Sequence, residues 1–336
     1  MKSKQIRWIT LLLAVCLLFT VSASAEILLT TNGGVALEES ALPYLTDSED
    51  APVVYYIADI SPDSLMAAYA ALGVELPGRI GVKMSTGEST RSNYLRPELI
   101  GPLVQSLNGT IVECNTAYGG NRASTAMHRQ QAKENGLLDI AELDILDEEG
   151  SMELSIEGGQ VLSVDYVGTH FVNYDSYLVL THFKGHAMAG FGGAIKNISI
   201  GFGSAKGKAW IHSGGTSTTN PWGGKQDAFL ESMADAAKGV NTYMGDNIVY
   251  ISVLNRLSVD CDCDGNPSEP DMHDICILAS TDPLAIDQAA IDLVYAMPDS
   301  GSLVRRIESR NGLHTLEAGE QIGLGSRYYR LVVIGE

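Results

Sequence analysis

Two histidines and a lysine, His182, Lys184 and His186, stand in the stretch YLVLTHFKGHAMAGFGGAIKN, residues 177–197. They end an apolar run of strand character, in a chain with only seven histidines. Neutral imidazole binds zinc, iron, nickel and copper well. A spacing of four would put His182 and His186 on one face of a helix, as in zinc-binding helices, although Gly185 and Gly190 work against a regular helix here. Metal ligation is therefore expected of His182 and His186. The alternative is that one bonds a backbone group while the other lies at the surface. Gly190, Gly192 and Gly193 leave room for backbone amides to approach an anion, and Lys184 and Lys196 offer charge to a carboxylate or phosphate. These glycines do not spell G-x-G-x-x-G, so they carry no dinucleotide fingerprint.

Three further loops hold chemistry-bearing residues. CNTAYGGNR, residues 114–122, presents Asn115, Thr116 and Arg122 to a ligand, unless they merely close a turn. In VKMSTGESTRSNYLRPEL, residues 82–99, Lys83 sits inside an apolar strand. A buried unpaired ammonium is costly, and Glu88 is its candidate partner or a cation ligand. VDCDCDGNPSEPDMHDIC, residues 259–276, packs Cys261, Cys263, Cys276, His273 and six acids between two strands. Thiolates beside carboxylates make a soft-metal site, and the competing reading is a disulfide with an acidic loop. Closing Cys261 onto Cys263 makes a tight ring, so the pair is either redox-labile or holding something else. Asp282, Asp287 and Asp292 look like a carboxylate ladder. However, Asp282 reads as a helix N-cap, and a spacing of five puts the other two on different faces, so none is assigned to catalysis.

The elements that would position these loops alternate between strand and helix. VVYYIADI, RIGVKMS, TIVECNT, YLVLTHF, NIVYISVL, ICILAS and the terminal YYRLVVIG read as strands. Helices follow Ser61-Pro62, Pro97, Arg122, Lys225 and Asp282. Such alternation, with continuously apolar strands, predicts an α/β fold: a largely parallel sheet flanked by helices, with a strand-rich middle from about 143 to 183. Ligands of such sheets sit at the carboxyl ends of the strands. The loops after Val82, Val112 and Leu180 all fall there.

The bulk properties narrow the partners. The first 25 residues carry Lys2, Lys4 and Arg7, a short apolar run and an Ala-Ser-Ala before Glu26, the pattern of a secretory signal peptide. Export is the expectation, with no stable membrane insertion after cleavage. Removing those residues takes away three bases and no acids. The remaining 41 acids against 19 bases give a net charge of −22, which argues against nucleic acid as a partner. A small molecule or a metal ion is expected instead.

The segments VKMSTGESTRSNYLRPELI, CNTAYGGNRASTAMH, THFKGHAMAGFGGAIKNISIG, CDCDG with ILASTDPLAIDQAAIDLV, and NGLHTLEAGEQIGLGSRYYRL resemble the domain-of-unknown-function 362 family, often labelled iron–sulfur-centre related. The resemblance implies one α/β domain over residues 52–336, after a leader at 1–25 and an extension at 26–51. Lys83, Glu88, Asn115, His182, Lys184, His186, Cys261 and Cys263 stand at matching motif positions. Many relatives carry a ferredoxin-type insert, C-x2-C-x2-C-x3-C, near residues 212–247. This chain has no cysteine there, so a [4Fe–4S] cluster is not expected. Relatives similar to K-V-H-F-G-E also have a histidine where this chain has Ser85. Three functions follow as expectations. One is a metal-dependent enzyme holding zinc, iron or nickel through His182, His186, Cys261 and Cys263, with Lys184 or Lys83 as acid or anion clamp and Glu88 as base. The second is a non-enzymatic binder of a small anion or metal. The third is an iron–sulfur electron carrier.

Overall fold

A computed structural model describes residues 27–335. The expected leader, with Cys16, lies outside the described residues. The described chain opens with an antiparallel pair, β1 (Ile27–Thr30) and β2 (Ala36–Glu38). Alternation follows: β3 (Val53–Ile57), α1 (Pro62–Ala71), β4 (Ile80–Lys83), α2 (Pro97–Ser106), β5 (Thr110–Glu113), α3 (Thr125–Glu134) and β6 (Leu143–Ile145). Helix α1 starts where its capping chemistry dictates. The Ser61 hydroxyl accepts from the Ser64 N–H, and Pro62, with no N–H to leave unpaired, opens the first turn.

The strand-rich middle resolves into a separate hairpin, β7 (Ser151–Ser155) with β8 (Val164–Gly168), and the central strand β9 (Ser176–His182). The glycine-rich stretch then forms a tight hairpin, β10 (Lys184–His186) with β11 (Gly190–Gly192). Two short helices follow, α4 (Ala194–Ser199) and α5 (Ala205–His212), then the long α6 (Gln226–Met244). The chain closes with β12 (Ile248–Leu254), β13 (Cys276–Ser280), α7 (Pro283–Ala296), α8 (Gly301–Ser309), α9 (His314–Gln321) and β14 (Arg330–Val333).

Eight strands form the main sheet in the order β14-β3-β13-β12-β9-β4-β5-β6. Strand β13 alone runs against its neighbours, and the other strands share one direction. The architecture is therefore the expected α/β one. Strand β9 shows why its sequence is continuously apolar. Tyr177 and Val179 enter the core that includes α4, α6 and α7, while Leu178 and Leu180 enter the opposite core, with α1 and α2. Each such buried side chain contributes about 1.5–3 kcal/mol, so a charge introduced in the middle of β9 would break the layer that its side chain enters. Among the described residues, no helix is long and apolar enough to cross a membrane.

The parallel strands β4, β5, β9 and β12 end at Lys83, Glu113, His182 and Leu254. Their carboxyl ends lie on one edge of the sheet, and the chemistry collects there.

Candidate functional site

A cavity of about 70 Å³ opens at this edge. Lys83 comes from the end of β4, Thr116 and Arg122 from the loop after β5, and Lys184 and His186 from the β10–β11 hairpin. Gly192, Gly193 and Lys196 come from the β11–α4 junction, and Cys261 and Cys263 from the loop after β12. Residues that were not singled out in the sequence join them, among them Glu113, Tyr118, Lys208 and His212. Lys208 and His212 share a face of α5, four residues apart. The only sequence signal for them was a histidine at a helix end beside a Ser-Gly-Gly turn.

The cavity wall is cationic in an acidic chain: Lys83, Lys184, Lys196, Lys208 and Arg122 all reach it. Most of these cations are anchored by acceptors of the protein itself. Lys83 Nζ donates to the Met84 carbonyl and to Asn197 Oδ1, both at 3.0 Å. Its partner is not Glu88, as the sequence suggested. Burial, only partly opposed by Glu113, pulls the Lys83 amine down to about 8. Glu88 instead takes Arg122 Nε at 2.9 Å and the Asn121 N–H. Arg122 Nη1 donates to Glu113 Oε1 at 2.9 Å. Burial raises the Glu113 carboxyl, but Arg122, His128 and Lys83 more than offset this and hold it well below the usual range. Glu88 is thus an anchor for Arg122 and has no free proton-accepting role. Lys208 Nζ donates to the Gly203 carbonyl at 2.6 Å.

Lys196 differs. Half-buried in the wall, its amine has no hydrogen-bond or ion-pair partner among the described residues. Burial beside Lys184 pulls it down to about 7.

The segment is not a helix, and among the described residues His182 and His186 fall in no common group of metal-ligating atoms. They lie on different elements, and each has its own bonds. His182 Nδ1 faces Asp262 Oδ1 at 2.8 Å, and its Nε2 faces the Asn255 carbonyl at 2.7 Å. Both ring nitrogens thus face oxygen atoms inside a buried cluster. The same Asp262 pairs with Lys184 Nζ at 3.1 Å. Burial raises the Asp262 carboxyl, but Lys184 and His182 outweigh it and hold it far below the usual range. His182 is 3% exposed and does not line the cavity.

His186 does line it, beside Cys261 and Cys263, and the three offer ligand atoms within 4.8 Å of one another. Two observations bear on a metal there. Cys261 and Cys263 are joined as a disulfide with Cα atoms 5.2 Å apart, while Cys114 and Cys276 are free and buried. His186 Nδ1 accepts the N–H groups of Ala189 (2.9 Å) and Met188 (3.2 Å), so the neutral ring presents Nε2–H, a donor with no lone pair. As arranged, this trio does not fit a metal ion.

His212 has the opposite tautomer. Its Nδ1 donates to the Lys208 carbonyl at 2.7 Å, leaving the Nε2 lone pair for the cavity. The ring stacks on Phe229 at 4.9 Å, and burial pulls its pKa down to about 4. His212 is therefore a neutral, oriented base at pH 7.

The remaining expected residues are structural. Asn115 lies off the cavity and bonds Asp147 and Thr125. Thr116 reaches the wall but spends its hydroxyl on the Tyr118 carbonyl at 2.9 Å. Past Gly192 and Gly193, the free amides of Ala194 and Ile195 do cradle an anion, but it is the protein's own. They donate to Asp287 Oδ1 at 2.6 Å and Oδ2 at 2.9 Å. A Cβ on Gly193 would fall 2.2 Å from that carboxylate, which is why no side chain fits there. Gly192 leaves the space that the Lys184 and Lys196 side chains fill.

The profile described as "Domain of unknown function (DUF362)" matches residues 80–292, which span the loops that build this cavity. The chain belongs to that family. The matched DUF362 residues include β4 through most of α7, while strands β3 and β14 of the same sheet lie outside them. Two solved structures are similar. One is the lactate racemase apoprotein from Thermoanaerobacterium thermosaccharolyticum, at 14% identity and a TM-score of 0.43, over 78% of this chain and 60% of that one. The other is a structural-genomics protein from Thermotoga maritima, at 11% identity and a TM-score of 0.39, over 78% and 59%. This chain thus spans less than two thirds of either. Among curated proteins, none matches.

Proposed function

We propose that this DUF362 protein acts outside the cytoplasm and binds a small organic anion, a carboxylate or phosphate, in the strand-end cavity. The observation that carries this reading is Lys196, an amine without a partner among the described residues in a wall where every other amine is anchored. An ammonium out of water needs an anion, and none of the described carboxylates supplies it. The anchored cations each keep donors to spare. Lys83, Lys184 and Lys208 hold three N–H bonds apiece, and Arg122 has a second terminal nitrogen. His186 Nε2–H adds a neutral donor. The pocket also has what an acid–base reaction needs: His212 Nε2 as the base and the Lys196 ammonium as the acid. Non-enzymatic capture uses the same groups and differs only in lacking turnover.

Thermal unfolding with and without 10 mM inorganic phosphate or acetate tests the reading, because a ligand bound only to the folded state raises its midpoint. The expected result is a rise with wild type that is absent in Lys196→Met. No rise with either anion, together with no heat of binding by calorimetry, would sink it.

A second reading, a bound metal, is favoured by the proximity of His186, Cys261 and Cys263. It requires reduction of the disulfide and a turned His186 ring. Elemental analysis of protein purified without chelator separates the two. The anion reading expects no stoichiometric metal in the oxidised protein. The metal reading expects one zinc, iron or nickel per chain, lost in His186→Ala.

A further inference from the structure

The inner cavity is too small for most metabolites. At about 70 Å³ it takes the head group of an anion and little else. It does not end there. A second cavity of about 310 Å³ lies against it. Tyr118, His186, His212, Cys261 and Cys263 line both, so these five side chains form a neck between them. Beyond the neck the lining changes character. The outer cavity is walled by Trp222, Pro221, Met188 and the ring of Tyr118, together with Asp260 and Asp264, with no lysine or arginine. The Tyr118 and Trp222 rings stand 6.2 Å apart at an interplanar angle of 40°, a tilted aromatic pair in the wall of this cavity. Trp222 is 56% exposed, although it sits in a loop whose turns are fixed by Ser213, Ser217 and Asn220. A large aromatic left exposed at the mouth of a cavity marks a contact surface.

We infer that the ligand is an oxyanion carried on an aromatic or similarly flat apolar group. Its head would enter the lysine-lined chamber, and its ring would lie at the mouth against Trp222 and Tyr118. This rests on the anion reading above and names its substrate class. The neck decides the orientation: the cationic chamber excludes the apolar end, and the mouth offers the head no counter-charge. The disulfide and the His186 Nε2–H would face the bond joining head to ring, and the His212 Nε2 lone pair would be within the same neck.

Isothermal titration of the mature chain compares matched probes: inorganic phosphate against phenyl phosphate, and acetate against benzoate. The aryl member of each pair is expected to bind at least tenfold tighter. Trp222→Ala should remove that preference and leave the affinity for inorganic phosphate within twofold of wild type. Lys196→Met should weaken all four probes together. Because Trp222 is exposed, its truncation should leave the fold intact, and circular dichroism checks this. Equal affinities within each pair overturn the aryl inference while leaving the anion reading standing. So does a preference that survives in both Trp222→Ala and Tyr118→Ala. Binding of none of the four probes overturns the anion reading, and the aryl inference with it.

Discussion

Helix α7 and the strand-end cavity both bury ionisable groups, but they treat them in opposite ways. On α7 every oxygen that matters is supplied with donors by the protein itself. Asp282 takes the N–H groups of Leu284, Ala285 and Ser326. Asp287 takes those of Ala194 and Ile195. Asp292 takes the Tyr44 N–H, the Tyr329 hydroxyl and Gln288 Nε2. These carboxylates tie the start of α7, the start of α4 and the C-terminal segment together, and nothing is left over for a ligand. The cavity also has paired carboxylates: Asp262 and Glu88 stand behind the wall, and Glu113 lies in it, held by Arg122 and His128. Facing the space are groups with bonds still to make: Lys196, His186 Nε2–H and His212 Nε2. Burial alone therefore does not mark a functional residue here. Unfilled hydrogen-bonding capacity turned toward a space does.

Removing a saturated anchor should be the most damaging change. Asp262→Asn strips the counter-charge from Lys184 and the carboxylate partner from His182, both nearly enclosed. Breaking a buried pair on one side costs about 3–5 kcal/mol, and urea unfolding should show a loss of that size. A loss under about 1 kcal/mol would mean the cluster is hydrated and the comparison with α7 is wrong. Next in size is Asp287→Asn, which leaves one of the two α4 amides facing an NH₂ group, at about 1–3 kcal/mol. This change also carries a pH signature. Burial raises the Asp287 carboxyl to about 7 despite its amide bonds. A group whose folded pKa lies above its unfolded one stabilises below the unfolded value, near 4, and loses that contribution as pH rises through the folded value. The stability gap between wild type and Asp287→Asn should therefore be widest near pH 4 and narrow by pH 7. A gap that widens with pH would contradict the raised pKa. Asp292, raised to about 6 by burial, adds a wild-type slope of the same sign.

Much of this was legible in the sequence. Alternating elements with continuously apolar strands announced the sheet, and its carboxyl edge announced where to look. Asp282 read as an N-cap because Pro283 follows it, and its side chain does cap α7. Partner choice was not legible. The sequence put Lys83 beside Glu88, because five residues separate them. The fold sends Glu88 across to Arg122 and meets Lys83 with Asn197, 114 residues away. His182 and His186 looked equivalent at a spacing of four. One belongs to a sheet strand and the other to a hairpin: the His182 nitrogens face groups 73 and 80 residues away, while His186 Nδ1 is held by its own turn. His212 was missed because its role comes from a single carbonyl, that of Lys208, fixing which nitrogen carries the proton. Pairing across long separations and tautomer choice are properties of the packed chain.

The smallest expected effect on stability is the most informative one. Lys196→Met removes a charge that has no partner among the described residues and keeps most of the apolar stem. Taking an unpaired ammonium out of a partly buried wall relieves a desolvation cost, while the thioether fills similar space. Urea unfolding should therefore find the variant within about 1 kcal/mol of wild type. Affinity for phosphate should nevertheless fall at least tenfold, since a charge-assisted bond to an anion contributes about 1.5–3 kcal/mol. Asp287→Asn should show the reverse, a loss of stability with phosphate affinity kept, because its carboxylate faces α4 amides and not the cavity. Should Lys196→Met instead lose more than 2 kcal/mol of stability, Lys196 would belong with the anchors. The line between filled and unfilled groups would then have to be redrawn around His186 and His212.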